Sequence, residues 1–141
     1  MDNVQQQILD RVERGQSVFF TGSAGTGKTY TLNQIVNRLK VKYGREFSKK
    51  VAVAAMTGLA ASHINGVTLY AALGIGIAKR VGDVGNGMHR KAKDVNQLDV
   101  LIVDECSMLS AELLHIIVSD PLITRRKTPL QLIFCGDFYQ V

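Results

Sequence analysis

The sequence predicts an α/β domain with a mostly parallel sheet, and three observations carry that prediction. Short apolar runs occur at 51–56 (Val-Ala-Val-Ala-Ala-Met), 100–103 (Val-Leu-Ile-Val) and, with Gln131 as its one polar residue, 130–135 (Leu-Gln-Leu-Ile-Phe-Cys). Such runs suit parallel strands covered on both faces. Between them, apolar residues recur with helical spacing. A glycine-rich loop at 22–29 sits between a third kind of segment, Ser17-Val18-Phe19-Phe20, which reads as a short strand, and a helical pattern over 30–39. Alternation of strands and helices is the signature of this fold class.

Each element has its own warrant. Over 4–12, Val4, Ile8, Leu9 and Val12 share one helical face. Gly15 ends that helix, and Arg11 and Arg14 sit near its end, where cations complement the dipole. After the glycine-rich loop, Leu32, Ile35, Val36 and Leu39 line one face of a second helix, which is expected to fray into the basic stretch 40–50. Thr57-Gly58 breaks the strand at 51–56, and 59–64 reads as one or two helical turns. Residues 65–76 are turn-rich, with Val67, Leu69 and Leu73 expected to pack inward. Residues 78–94 carry Gly82, Gly85 and Gly87 with five cations, which fits either a solvated loop or contact with a polyanion. A helix is expected over 111–118.

Length and composition set the bounds. A chain of 141 residues suits one domain that buries about two-thirds of its unfolded surface. Apolar residues make up 46%, with a mean hydropathy of +0.08, as in soluble globular proteins. No apolar run approaches membrane-spanning length, so no membrane partner is expected. The polar N-terminus lacks the apolar core of a signal peptide. Cys106 and Cys135 match no metal-binding spacing and read as reduced core thiols. The net charge of +5 admits an anionic partner without requiring one.

The chemistry begins at Gly22-Ser23-Ala24-Gly25-Thr26-Gly27-Lys28-Thr29, which fits the P-loop pattern G-x-x-x-x-G-K-[ST] at every position. Backbone N–H groups must converge on phosphate oxygens, and Gly22, Gly25 and Gly27 permit the tight turn by reaching positive φ cheaply. Lys28 can extend to the β- and γ-phosphates, and the Thr29 hydroxyl can ligate Mg²⁺. The following helix aims its N-terminus at the nucleotide. Asp104-Glu105 stands at the C-terminal end of its strand, where open α/β sheets place ligands. There Asp104 can hold Mg²⁺ opposite Thr29, and Glu105 can orient and deprotonate the attacking water. Gly136-Asp137-Phe138-Tyr139-Gln140 follows another strand, and the Gln140 amide can sense the γ-phosphate or the catalytic water without carrying charge.

Taken together, G-S-A-G-T-G-K-T, T-G-L-A-A, L-I-V-D-E-C-S-M and G-D-F-Y-Q resemble the first RecA-like domain of Pif-type (petite integration frequency) superfamily 1 DNA helicases, over about residues 5–140. The resemblance implies an ATP- and Mg²⁺-dependent motor that moves 5′ to 3′ on single-stranded DNA and acts on forked or structured DNA. It implies roles in DNA repair, recombination and telomere or genome maintenance, in the nucleus or the mitochondrion. By the same resemblance Gln5 reads the adenine edge, with Gln6 one residue away. Thr57, Gly58 and Thr68 lie where the family grips the DNA backbone. The family's Thr-Leu-His is here Thr68-Leu69-Tyr70, so Tyr70 either stacks on a base or packs plainly, and Val95 stands where tryptophan is common.

The resemblance also implies that 1–141 is an incomplete first RecA-like domain. The rest of that domain, a second RecA-like domain and an arginine that reaches the γ-phosphate are then expected beyond Val141. On that expectation the strand at 17–20 becomes a sheet edge prone to self-association. The alternatives are a nucleotide-driven switch or loader without unwinding activity and a catalytically dead binding module. Glu105 and Gln140 speak against the dead module, and Thr57-Gly58 with Gly74-Ile75-Gly76 favours the helicase. The resemblance predicts the strand order: the strand ending at Cys135 lies between the P-loop strand and the Asp104 strand, followed by the strand at 51–56.

Overall fold

The computed structural model describes residues 3–21, 27–64, 66–72, 97–106, 115 and 130–136. Five strands form one sheet: β1 (Val18–Thr21), β2 (Val51–Ala55), β3 (Val67–Thr68), β4 (Val100–Asp104) and β5 (Gln131–Gly136). Their order is β1-β5-β4-β2-β3, and every pairing is parallel. The expected succession of the first four is therefore observed, with β3 added as a two-residue strand beside β2. The register sets Phe20 against Cys135 and Thr21 against Gly136, while Ala55 lies against Asp104. These pairs bring the C-terminal ends of β1, β5 and β4 to one edge of the sheet.

Burial follows strand position. All five residues of central β4 are buried, with Val100, Leu101, Ile102 and Val103 at 0% exposure, so both faces of this strand are covered. On one face Val100, Ile102, Ile133 and Cys135 pack with Leu9 and Val12 of α1 (Asn3–Glu13) and Leu32, Ile35 and Leu39 of α2 (Lys28–Tyr43). The apolar period of both helices thus buries their shared stripe against the sheet. At the end of α1, Gly15 takes φ +80, and bonds from Gly15 N to Val12 O and from Gln16 N to Arg11 O close a Schellman cap. Buried Gln131 reinforces that end. Its amide donates to Val12 O at 3.0 Å and Gln16 O at 2.8 Å, which ties α1 to β5.

Three expectations need correction. Val4 is 64% exposed, so the buried stripe of α1 runs through Leu9 and Val12 with Ile8 partly covered. Val67 is likewise 46% exposed, whereas Leu69 is fully buried at the start of α5 (Leu69–Ala72). The stretch 40–50 does not fray. Helix α2 continues to Tyr43, a 3-10 turn covers Gly44–Glu46, and α3 (Phe47–Lys50) leads into β2. Gly44 at φ +55 makes the break, and Lys40 and Lys42 stand over the Phe47 and Tyr43 rings, at 5.7 and 5.5 Å. These cation–π contacts shield apolar faces that a solvated coil would expose. The turns after β2 form α4 (Gly58–His63). The helix expected over 111–118, Leu73 and residues 74–96 lie outside the described residues, apart from His115. Among the described residues no helix is long and apolar enough to cross a membrane.

Candidate nucleotide-binding site

The edge formed by β1, β5 and β4 gathers the predicted chemistry. Lys28 opens α2 directly after the loop from β1, and Asp104 ends β4 two strands away. Their side chains meet with Nζ 2.9 Å from Oδ1, both only 10% exposed. Glu105 Oε1 lies 3.8 Å from the same Nζ. Burial alone would lower the Lys28 pKa. The hydrogen bond and charge of Asp104, aided by the charge of Glu105, instead raise it above the ordinary lysine value, so the ammonium is charged at neutral pH.

Asp104 Oδ1 takes two further donors. The Glu105 backbone N–H donates at 2.9 Å and the Cys135 thiol at 3.2 Å. Burial, with Asp104 beside it, pushes the Cys135 thiol far above its usual pKa, so it keeps its proton. Cys106 is also buried, and its thiol is raised by the same cause. Both cysteines are free thiols, as their sequence context predicts. The role of Cys135 at Asp104 was invisible in the sequence, because the contact depends on strand pairing rather than on chain position.

Glu105 has φ 59, the one left-handed non-glycine residue among those described. Such a backbone costs on the order of 1 kcal/mol or more and collects at functional sites. Here it turns the chain sharply past Asp104 and brings the Glu105 carboxylate toward Lys28.

Gly27 corrects the reasoning about its own loop. Its φ is −68, so positive φ is not what requires glycine there. A Cβ at Gly27 would displace the side-chain amide of Gln5, so the small residue leaves room for that amide beside the loop. Gln5 Nε2 points at Gly27 O at 3.5 Å, at the long limit of a hydrogen bond. Gly27 O also accepts from Thr31 N at 2.8 Å and Thr31 Oγ1 at 2.7 Å, which closes the first turn of α2. Gln6 turns the other way, donating to Asp10 on the exposed side of its own helix at 2.9 Å. The structure therefore sets Gln5, not Gln6, beside the P-loop. Thr29 is exposed in the first turn of α2. Gly22, Ser23, Ala24, Gly25, Thr26 and Gln140 lie outside the described residues.

The segment after β2 is built differently. Thr57 is the N-cap of α4, its hydroxyl accepting from Ala60 N at 3.1 Å while its own O–H remains a donor. A Cβ at Gly58 would meet nothing within 4 Å, and neighbouring Leu59 is 73% exposed. Thr68, in β3, pairs with Ala55 at the same end of the sheet as Asp104. Tyr70 lies in α5, and its side chain is outside the described structure.

A parallel sheet whose strand ends join a P-loop lysine to an aspartate–glutamate pair defines a P-loop nucleotide-binding domain. The particular family follows from comparison. The model of the PIF1-like helicase family matches residues 1–141, and the chain belongs to that family. It is 42% identical over 150 residues to the ATP-dependent DNA helicase PIF1 of Saccharomyces cerevisiae, covering 97% of this chain and 16% of that protein. The crystal structure of Pif1 helicase from Candida albicans superimposes with a TM-score of 0.83 at 39% identity, covering 100% of this chain and 33% of that one. Pif1 helicase from Bacteroides in complex with ADP-AlF3 and single-stranded DNA gives a TM-score of 0.73 at 29% identity, covering 99% of this chain and 33% of that one. The chain thus spans about a sixth of the curated relative and a third of the solved chains.

Proposed function

We propose that residues 1–141 belong to the first RecA-like domain of an ATP-dependent DNA helicase, whose hydrolysis of ATP drives movement 5′ to 3′ along single-stranded DNA. The observation that carries this is the contact of Lys28 with buried Asp104 and half-buried Glu105 at the strand ends, with Gln5 against Gly27. The nucleotide complex of the Bacteroides relative supports it.

Lys28 then exchanges the Asp104 carboxylate for β- and γ-phosphate oxygens. Its charge, kept by Asp104 and Glu105 against the cost of burial, then faces the anion that forms in the transition state. Glu105 accepts the proton of the attacking water as the oxygen bonds to the γ-phosphorus and the bond to the leaving ADP oxygen breaks. Gln5 reads the adenine edge, Gln140 senses the γ-phosphate, and the backbone of 22–27 cradles the phosphates.

The donor set fits Mg²⁺. Thr29 offers a hydroxyl and Asp104 a carboxylate, both hard oxygen ligands, and nucleotide phosphates complete such shells. When bound, the cation neutralises charge on the β- and γ-phosphates.

Thr57, Gly58, Thr68 and Tyr70 form the track for DNA, with hydroxyl and backbone donors that meet phosphates without reading sequence. A second RecA-like domain supplies an arginine to the γ-phosphate, and closure of the cleft between the domains advances the strand. Forked or structured DNA in the nucleus or the mitochondrion is the substrate this reading assigns.

Strand displacement by the full protein tests the reading. Duplexes carrying a 5′ single-stranded tail should be unwound in the presence of ATP, and those with only a 3′ tail should not. Affinity for single-stranded DNA should fall with salt, with a log–log slope of about 0.7 per phosphate neutralised. Unwinding that needs a 3′ tail, or affinity indifferent to salt, overturns the assignment.

A further inference from the structure

We propose that Cys135 is a positioning residue for Asp104: its thiol holds one carboxylate oxygen in place so that the other presents to the nucleotide-bound cation. The inference rests on the reading of Asp104 as the cation-holding carboxylate.

Three donors converge on Asp104 Oδ1: Lys28 Nζ at 2.9 Å, Glu105 N at 2.9 Å and Cys135 Sγ at 3.2 Å. None of the described residues donates to Oδ2. The three donors differ in permanence. Lys28 sits at the end of a flexible stem and leaves when phosphates arrive. The Glu105 N–H belongs to the backbone, and Cys135 is fixed in β5 with 0% exposure. These two stay when Lys28 departs.

A single donor from the adjacent residue leaves the carboxylate plane free to rotate about its last torsion, which is broad for aspartate. A second donor from a neighbouring strand defines that plane. A thiol is a weak donor to neutral groups, but an ionised acceptor strengthens the bond, and at 0% exposure no water competes for it. The strand order places this donor well, since β5 separates β1 from β4 and underlies the gap that Lys28 crosses.

The competing role is packing. Cys135 belongs to the core with Leu32, Ile35 and Ile133, and a buried free cysteine often acts as a small apolar residue. Packing depends on volume; positioning depends on a donated proton.

Equilibrium binding of a fluorescent ADP analogue to the full protein, with Mg²⁺ and with a chelator, separates the two. The quantity to compare is the strengthening of affinity by Mg²⁺. Cys135→Ala and Cys135→Val should lower that strengthening by roughly three- to tenfold, the worth of one net hydrogen bond. Metal-free affinity should stay within about twofold, since metal-free contacts do not use the thiol. Cys135→Ser and Cys135→Thr, which keep a donor, should retain most of the strengthening. If Cys135→Ala does not fold, the shape-matched pair Cys135→Val and Cys135→Thr carries the comparison. Equal strengthening in all variants, equal losses with and without a donor, or failure of all four to fold would assign Cys135 to packing and overturn the proposal. A parental protein whose affinity ignores Mg²⁺ would instead remove the cation from Asp104, and this proposal with it.

Discussion

The two ends of the motor reading, the nucleotide edge and the segment after β2, are made of opposite materials. At the nucleotide edge, Lys28 and Asp104 are each 10% exposed, share one hydrogen bond, and lie beside a left-handed Glu105 and a fully buried Cys135. After β2, Gly58 faces open space and Leu59 is 73% exposed. Chemistry on phosphate needs charges fixed in a dry setting, where they are strongest and reorganise least. Gripping a moving polymer needs an accessible track that binds and releases. The contrast teaches that substitutions at the first place should disturb chemistry and stability together, whereas those at the second should alter affinity and leave the fold intact.

The largest expected effects lie at the nucleotide edge. Lys28→Ala in the full protein should lower ATP hydrolysis by about a hundredfold to a thousandfold or more. It also strips a partner from buried Asp104, which should cost about 1–3 kcal/mol of stability by thermal unfolding, tempered by the two donors that remain. Glu105→Gln should reduce hydrolysis by about 10²–10⁴-fold while nucleotide affinity holds, because the proposed role of Glu105 is on the water rather than on the bound phosphates. Parental turnover in Glu105→Gln would dismiss it as the base.

A smaller effect sharpens the contrast from the other side. A Cβ at Gly58 meets no neighbour, so the melting temperature of Gly58→Gln should match the parent's. Its affinity for single-stranded DNA should fall about tenfold, or 1.4 kcal/mol, as a side chain intrudes on the track. Unchanged DNA affinity would move the track elsewhere, and a large drop in melting temperature would show that this segment is not the open surface described.

The smallest expected change in stability is a gain, and it comes with the loss of the base. Glu105→Gly relieves a left-handed backbone, so the protein should gain about 0.5–1 kcal/mol in thermal unfolding while hydrolysis is lost. A stability loss would mean that the Glu105 side chain holds the turn rather than being held in it.

Much of this was legible along the chain. The strands at 51–56, 100–103 and 130–135 announce themselves because a parallel strand covered on both faces needs an almost wholly apolar run, and the observed β2, β4 and β5 agree to within a residue at their ends. The P-loop pattern and the acids after β4 are equally local, since each performs its task from consecutive residues. Periodicity was less dependable at the margins. Val4 and Val67 fit apolar patterns yet lie exposed, because a period says which residues share a face but not how far the covering neighbour extends. The basic stretch 40–50 looked like a frayed end, but Tyr43 and Phe47 pack against the core from its helical turns, with Lys40 and Lys42 over their rings.

What the sequence determined by itself is thus the family and the elements that carry the candidate site: a P-loop pattern and an aspartate–glutamate pair, each at the end of an apolar strand. What only the tertiary structure decided is who touches whom. Gln5 meets Gly27 across 22 residues, Lys28 meets Asp104 across 76, Gln131 ties the end of α1 across 119, and Cys135 meets Asp104 across 31. The physical reason is that local patterns encode burial and backbone preference, whereas a hydrogen bond between strands depends on pairing order and register. Those are settled by how all the apolar faces pack at once, so no single stretch of sequence can hold them.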